Sequence, residues 1–290
     1  MSWRDYAIIG AKEVRELLDG YGIRSSKAKG QNFLVDANIP EKIVRSSGID
    51  KSCGVLEIGP GLGALTGSLS LAAGRVVAVE LDGRLVRMLG DAGFSEGNVE
   101  IVHGDILKID IRELAGEKMQ GLRLFACANL PYSITTPALT ALIDAGVFEA
   151  VTVMVQKEVA LRLCAAKGTA DYGAISVYAQ YHAEPRILFD VPPECFVPRP
   201  GVVSSVLSLK MRTEGRLLPQ QEALFFRVVR AAFNQRRKTL VNALFSAFGD
   251  TMGKDEISAA VSKSGFAPDV RGEALDVAGF VVLSGNLFVR

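Results

Sequence analysis

The chain has 290 residues, 49% hydrophobic and 22% charged, with a formal net charge of +1. Such a composition supports a buried core rather than wholesale disorder, and no apolar run approaches the roughly 20 residues of a membrane span. Four scattered cysteines with no CxxC pair, and only two histidines (His103 and His182), argue against a structural zinc site and a Ser-His-Asp centre. The cysteines fit free thiols in a reducing cytosol. The first 18 residues contain charges and lack a signal-peptide layout, so a cytoplasmic location is expected.

Val14, Leu17, Leu18 and Tyr21 share one face of a helix over residues 10–19, which Gly20 and Gly22 stop. A polar, basic loop, RSSKAKGQNFLVD, follows, and then a helix from about Ile39 to Ser46. From Gly54 the pattern changes to short apolar runs that alternate with helical segments. GVLEIG, RVVAVEL, VEIVHGD, LRLFACANL and AVTVMVQ read as strands. LGALTGSLSLAA, GRLVRMLGDAG, TPALTALIDAG and KEVALRLCAA read as helices. This alternation predicts an α/β fold with a doubly wound, Rossmann-like parallel sheet. The strands are apolar throughout because helices cover both sheet faces.

Residues 168–212 read as β-rich and proline-studded, forming the antiparallel finish of the sheet. A polar linker around 213–220 leads to four helical segments. The expected organisation is a cofactor-binding catalytic domain over 1–212 and a smaller all-helical domain over 213–290. Between Lys210 and Lys238 eight basic residues face two acidic ones, a local surface suited to a polyanion. In the helix from Phe225, Arg227, Arg230, Arg237 and Lys238 share one face, but Arg236 falls on the apolar face. The sequence therefore predicts either a break near Asn234–Gln235 or a buried acceptor for Arg236.

In VLEIGPGLGALTGSL, glycines 59, 61 and 63 follow a strand and precede a helix. Such a turn exposes backbone N–H groups and a helix N-terminus to a ligand. Gly59, Gly61 and Ala64 also satisfy a dinucleotide fingerprint, with Glu80 at the end of the next strand, so an NAD(P)-type oxidoreductase is one reading. S-adenosyl-L-methionine is the other. Glu57, inside the first strand, suits a cationic ligand end, and Asp105 sits where a carboxylate meets an adenine amine. The fourth strand ends in Asn129-Leu130-Pro131-Tyr132.

The E-x-G-x-G-x-G loop, Glu80, Asp105 and NLPY together resemble class I methyltransferases that modify the exocyclic amines of nucleic-acid bases. KGQNFLVD, FVPRPGVVSS and AAFNQRRKTLVNAL narrow the resemblance to the small-subunit ribosomal RNA adenine N6,N6-dimethyltransferase family, known for kasugamycin sensitivity, over roughly residues 25 to 285. The related erythromycin-resistance methylases share the cofactor core, but FNQRRKTL points away from them. A non-catalytic assembly factor of the same fold is a further alternative, against which an intact NLPY argues.

The resemblance implies dimethylation of two adjacent adenosines in a hairpin loop near the 3′ end of small-subunit rRNA. The substrate would be a ribosomal small-subunit particle, and the enzyme a monomer using no metal. It assigns the cofactor to Asn32, Leu34, Gly59, Glu80, Asp105 and Asn129, with Gly61 in the same turn and loop 27–35 folded over it. The Asn129 amide oxygen and the Leu130 carbonyl would accept from the adenine amine, braced by Pro131. Tyr132 would stack on the base, and Phe196 would close its other face. Arg227, Arg230, Arg237 and Lys238 would grip rRNA phosphates.

Overall fold

The computed structural model describes residues 11–23, 32–95 and 97–287. The basic cluster of Arg24, Lys27 and Lys29, and with it most of loop 27–35, lies outside them. By Cα proximity the chain divides into two compact units, one of residues 1–160 and 186–211 and one of residues 161–185 and 212–290. Residues 161–185, which the sequence reading keeps with the sheet, group with the C-terminal helices.

The first unit begins with α1 (Ala11–Gly20), β1 (Phe33–Leu34) and α2 (Asn38–Ser47). Then β2 (Cys53–Ile58), α3 (Ala64–Ala72), β3 (Arg75–Glu80), α4 (Gly83–Asp91) and β4 (Val99–His103) form one half of the sheet. The other half is β5 (Arg123–Asn129), α6 (Thr135–Ala145) and β6 (Ala150–Gln156), preceded by α5 (Ile111–Lys118). β7 (Ala183–Val191), β8 (Phe196–Val197) and β9 (Ser204–Met211) follow, after the helices α7 (Lys157–Cys164) and α8 (Ala174–His182).

The seven-stranded sheet has the order β4-β3-β2-β5-β6-β9-β7. β4, β3, β2, β5 and β6 run parallel, and β9 pairs antiparallel with β6 from Ala150↔Lys210 to Gln156↔Ser204. β2 is buried at every position, which is why its sequence is a continuous apolar run interrupted only by Glu57. The chain builds outward from β2 in one direction and returns to β5 in the other. The crevice at the carboxyl ends of β2 and β5 is thus the topological switch point, where open α/β sheets bind ligands. β1 pairs antiparallel with β8, with Leu34 opposite Phe196.

Two elements differ from the sequence reading. α5 was not anticipated: IRELAGEK is short and largely charged, and it buries only Ile111 and Ala115. Its start is nevertheless marked, since the Asp110 side chain caps the N–H of Glu113 at 3.0 Å. The segment AISVYAQYH, expected to be β, is α8. Its β-branched and aromatic residues favour strand locally, but tertiary packing overrides that preference. The Ser176 hydroxyl accepts from the Gly173 N–H and donates to the Arg162 carbonyl, fixing the first turn. Val177 and Tyr181 enter an apolar cluster with Phe225, Val229 and Phe280.

The second unit is helical from residue 212 onward: α9 (Pro219–Asn234), α10 (Leu240–Phe248), α11 (Lys254–Lys263) and α12 (Val277–Leu287). α9 ends at Asn234, where the sequence predicts a break. Arg236 then donates to the carbonyls of Ala170 (2.8 Å) and Tyr172 (3.1 Å), with Glu273 at 3.7 Å. Of the two predicted solutions the break is realised: Arg236 lies beyond the helix end, exposed, and finds its acceptors near the surface. Arg227, Arg230, Arg237 and Lys238 are exposed, and the Arg227 guanidinium lies 5.1 Å from the Phe248 ring centroid. Among the described residues no helix is long and apolar enough to cross a membrane.

Candidate active site

The loop from β2 to α3 turns on glycines in the left-handed region, with φ of 65° at Gly59 and 86° at Gly63. Their reasons differ. A Cβ on Gly59 would meet only Pro131 at 3.8 Å, so the backbone conformation is what demands glycine there. A Cβ on Gly63 would lie 2.3 Å from the Phe94 ring, so this glycine serves packing of α3 rather than a ligand.

Glu80 ends β3 and is 5% exposed. Its two oxygens accept from the N–H groups of Asp82 (2.9 Å) and Gly61 (3.3 Å). The side chain therefore braces the glycine turn as well as facing the crevice. Burial pushes its carboxyl up from the ordinary range, opposed by those N–H groups.

Glu57 is 1% exposed, and its Oε2 has no hydrogen-bond partner among the described residues. Burial raises its pKa to about 8; the nearby Thr66 hydroxyl opposes the shift and the Glu80 charge adds to it. Thr66 Oγ1 itself has no partner at hydrogen-bonding geometry among the described residues. A buried carboxylate oxygen left open is costly, and a cationic ligand group would satisfy it.

At the end of β5, the Leu130 N–H still donates to the Met154 carbonyl at 3.2 Å. Pro131 then stops the ladder with φ −56° and ψ 130°. Its carbonyl accepts from the N–H of Ile134 and the hydroxyl of Thr135, which closes a 3-10 turn over Tyr132–Ile134 and starts α6. The Asn129 amide nitrogen donates to the Asn32 carbonyl at 3.3 Å, which turns the amide oxygen away from Asn32. Tyr132 is partly buried, and its hydroxyl lies 2.6 Å from Ser204 Oγ.

Two adjoining cavities occupy the carboxyl ends of the parallel strands. One is lined by Asn32, Leu34, Glu57, Gly61, Asn129 and Tyr132, among others. The other, of about 410 Å³, is lined by Asp82, Gly104, Asp105, Ile106 and Ser133, among others. Gly59, Glu80 and Pro131 belong to both, so the two form one trough of small-molecule size. At its far end one Asp105 oxygen caps the Leu107 N–H at 3.0 Å and the other faces Lys108 at 3.7 Å.

The trough brings together every cofactor residue named from the sequence, and Asn129 to Tyr132 with them. Phe196 is not among the residues lining it. It is 2% exposed and packs in the apolar cluster of Leu34, Ile43, Cys127 and Met154. Its link to the trough is its strand partner Leu34. Ser204 carried no role in the sequence reading; its signal is the serine that ends FVPRPGVVS, whose pairing with Tyr132 spans 72 residues. Among the described residues no group of histidine, cysteine and carboxylate side chains could hold a metal ion.

The fit to S-adenosylmethionine rests on the open Glu57 carboxylate for a cationic end, and on Glu80 and Asp105 as acceptors along an apolar trough.

The family model described as ribosomal RNA adenine dimethylase matches residues 23–267. Ribosomal RNA small subunit methyltransferase A of Lachnoclostridium phytofermentans is 45% identical over 275 residues, covering 94% of this chain and 95% of that protein. Among solved structures, a dimethyladenosine transferase from Plasmodium falciparum superposes with a TM-score of 0.71 at 24% identity, covering 87% of this chain and 95% of that one. The 23S rRNA methyltransferase ErmE gives 0.67 at 24% identity, covering 88% and 99%. At that identity the two structures speak for the fold alone.

Proposed function

The chain belongs to the ribosomal RNA adenine dimethylase family and is an S-adenosylmethionine-dependent methyltransferase; on that premise we propose that its substrate is small-subunit rRNA. The reaction places two methyl groups on the N6 amine of each of two adjacent adenosines in a hairpin loop near the 3′ end. The enzyme works as a monomer in the cytoplasm, on a ribosomal small-subunit particle. Family membership removes the oxidoreductase reading of the glycine loop. The small-subunit relative, 45% identical, supports this substrate over large-subunit rRNA.

One observation carries the chemistry: Asn129, Leu130, Pro131 and Tyr132 edge the same cavity as Glu57, Gly59 and Glu80. S-adenosylmethionine, when bound, supplies a methyl group on a positively charged sulfur. Glu57, Glu80 and Asp105 hold its charged and hydrogen-bonding groups, and Asn32 and Leu34 cover it. The adenine amine is a poor nucleophile because its lone pair is delocalised into the ring. Asn129 Oδ1 and the Leu130 carbonyl accept its two hydrogens and favour the pyramidal form that frees the lone pair. Pro131 fixes the direction of the Leu130 carbonyl by its locked φ. Tyr132 stacks on the base, a contact worth about 1–3 kcal/mol. That offsets part of the cost of drawing the base out of its stack, which is lowest in a loop.

Arg227, Arg230, Arg237 and Lys238 present exposed positive charge to phosphates, which position the RNA without reading sequence. The test is methyl transfer from labelled cofactor to small subunits that lack the modification. Incorporation by the parent protein and its loss in Asn129→Ala are expected. No incorporation by a folded, cofactor-bound parent overturns the reading.

A further inference from the structure

The hydroxyl of Ser204 is fully buried, at 0% exposure, and lies 2.6 Å from the phenol oxygen of Tyr132. Its backbone is held rigidly. Ser204 is the first residue of β9 and pairs with Gln156, the last residue of β6. On one side the Val203 carbonyl accepts from the Lys157 N–H at 3.0 Å. On the other the Ser205 hydroxyl donates to Asp190 at 2.7 Å, and Asp190 is paired with Lys157 at 2.5 Å.

Tyr132, by contrast, opens a three-residue 3-10 turn and has two side-chain torsions to settle. Its Cβ is set by the loop after β5. Its far end is set by a strand on the opposite side of β6 in the sheet order. A ring held at Cβ and at its phenol oxygen has its long axis fixed in place, and with it the ring's position and the tilt of that axis.

We infer that Ser204 is a positioning residue for methyl transfer: through its hydrogen bond to the Tyr132 hydroxyl it fixes the phenol ring as the platform for the target adenine. The inference rests on the proposed role of Tyr132 in stacking the base. Two consequences follow from the geometry. Stacking depends on ring offset and tilt, so a free ring would hold the base over a wider spread of positions and align the amine less often. The hydrogen bond also gives the phenol oxygen a partner inside the protein. A phenol left without one could donate to the adenine edge and compete for the lone pair that must attack. Burial raises the Tyr132 pKa above its usual value, with the Ser204 bond opposing, so the phenol stays protonated at neutral pH.

The test is steady-state methyl transfer to undermethylated small subunits by the parent, Ser204→Ala, Tyr132→Phe and the double variant. Cofactor binding is measured alongside by calorimetry with S-adenosylhomocysteine. Losing one buried hydrogen bond predicts a fall in kcat of about fivefold in each single variant. KM for the particle and cofactor affinity should stay at parental values, a split that general destabilisation would not give. The double variant should be no slower than either single one, because both remove the same bond.

A Ser204→Ala protein that binds cofactor and turns over at the parental rate overturns the inference. So do single-variant losses that multiply in the double variant. If Ser204→Ala does not fold, Tyr132→Phe removes the same bond from the accessible end, and a parental rate there overturns it. Failure of the parent to methylate small subunits is a different result, and it strikes the proposed substrate instead.

Discussion

Glu57 and Arg236, an acid and a base, sit in opposite surroundings. Glu57 lies at the heart of the trough, 1% exposed, with one carboxylate oxygen open. Arg236 follows α9 in the helical unit, with its guanidinium committed to two backbone carbonyls and a carboxylate. The first arrangement costs stability, a cost that a cationic ligand group would offset. The second is complete without any ligand and ties α9 to residues 170–172. Around Arg236, the neighbours Arg237 and Lys238 stay exposed. Within each unit, then, the degree of pairing separates groups that build the fold from groups available to a ligand.

The largest expected effect tests the Glu57 side of this contrast. The carboxyl shift from 4.5 to about 8 corresponds to up to about 5 kcal/mol. The folded state holds the proton over that range and the unfolded state does not. The stability of the cofactor-free protein therefore falls as pH rises from about 4.5 to about 8, and this penalty is constant above that. In Glu57→Gln this share of the fall disappears. The difference in unfolding free energy between parent and variant, followed by denaturant titration across that range, should grow in favour of the variant as pH rises. A difference independent of pH would show that Glu57 ionises normally.

Asn129→Ala comes next, with methyl transfer expected to drop by about 10²–10³-fold, as for loss of a group aimed at developing charge. Single-turnover rates measure this, and the protein should remain folded. A rate within a few-fold of the parent would remove Asn129 from the reacting centre.

Arg236→Ala should lower the stability of the helical unit by about 1.5–3 kcal/mol, the usual worth of a charged hydrogen bond that also leaves carbonyls unpaired. Thermal and denaturant unfolding read it. Unchanged stability would mean that the helical unit does not depend on this tie.

Arg237→Ala has the smallest effect and sharpens the contrast with its neighbour. It should leave stability within about 0.5 kcal/mol and reduce the slope of log affinity for small-subunit rRNA against log salt by about 0.9. An unchanged slope would take Arg237 off the RNA-facing surface.

Much of this was legible in the sequence for physical reasons that act locally. β2, β3, β5 and β6 are continuous apolar runs because both sheet faces are covered, and Glu57 within β2, with Glu80 and Asp105 at strand ends, stands out against them. Arg236 was legible as a conflict on a helical wheel, and the break after Asn234 resolves it. What was not legible depends on distant partners. α8 is helical because Val177 and Tyr181 find an apolar cluster formed with C-terminal helices, which no local propensity encodes. Gly63 reads like a ligand-facing glycine until Phe94 is seen against it. Phe196 reads as an aromatic for the base, whereas it is buried in the apolar cluster that holds Leu34 and Ile43. The tie from Ser204 to Tyr132 joins segments that only the β6–β9 pairing brings together.

The central claim is that the trough and its Asn129–Tyr132 edge act on adenine N6 in small-subunit rRNA. The most direct measurement is nucleoside mass spectrometry, with reverse-transcription mapping, on undermethylated small subunits treated with the parent protein and cofactor. The account predicts N6,N6-dimethyladenosine at two adjacent positions in a hairpin loop near the 3′ end. Methyl groups found on ribose oxygens, on another base, or only in large-subunit rRNA would contradict it.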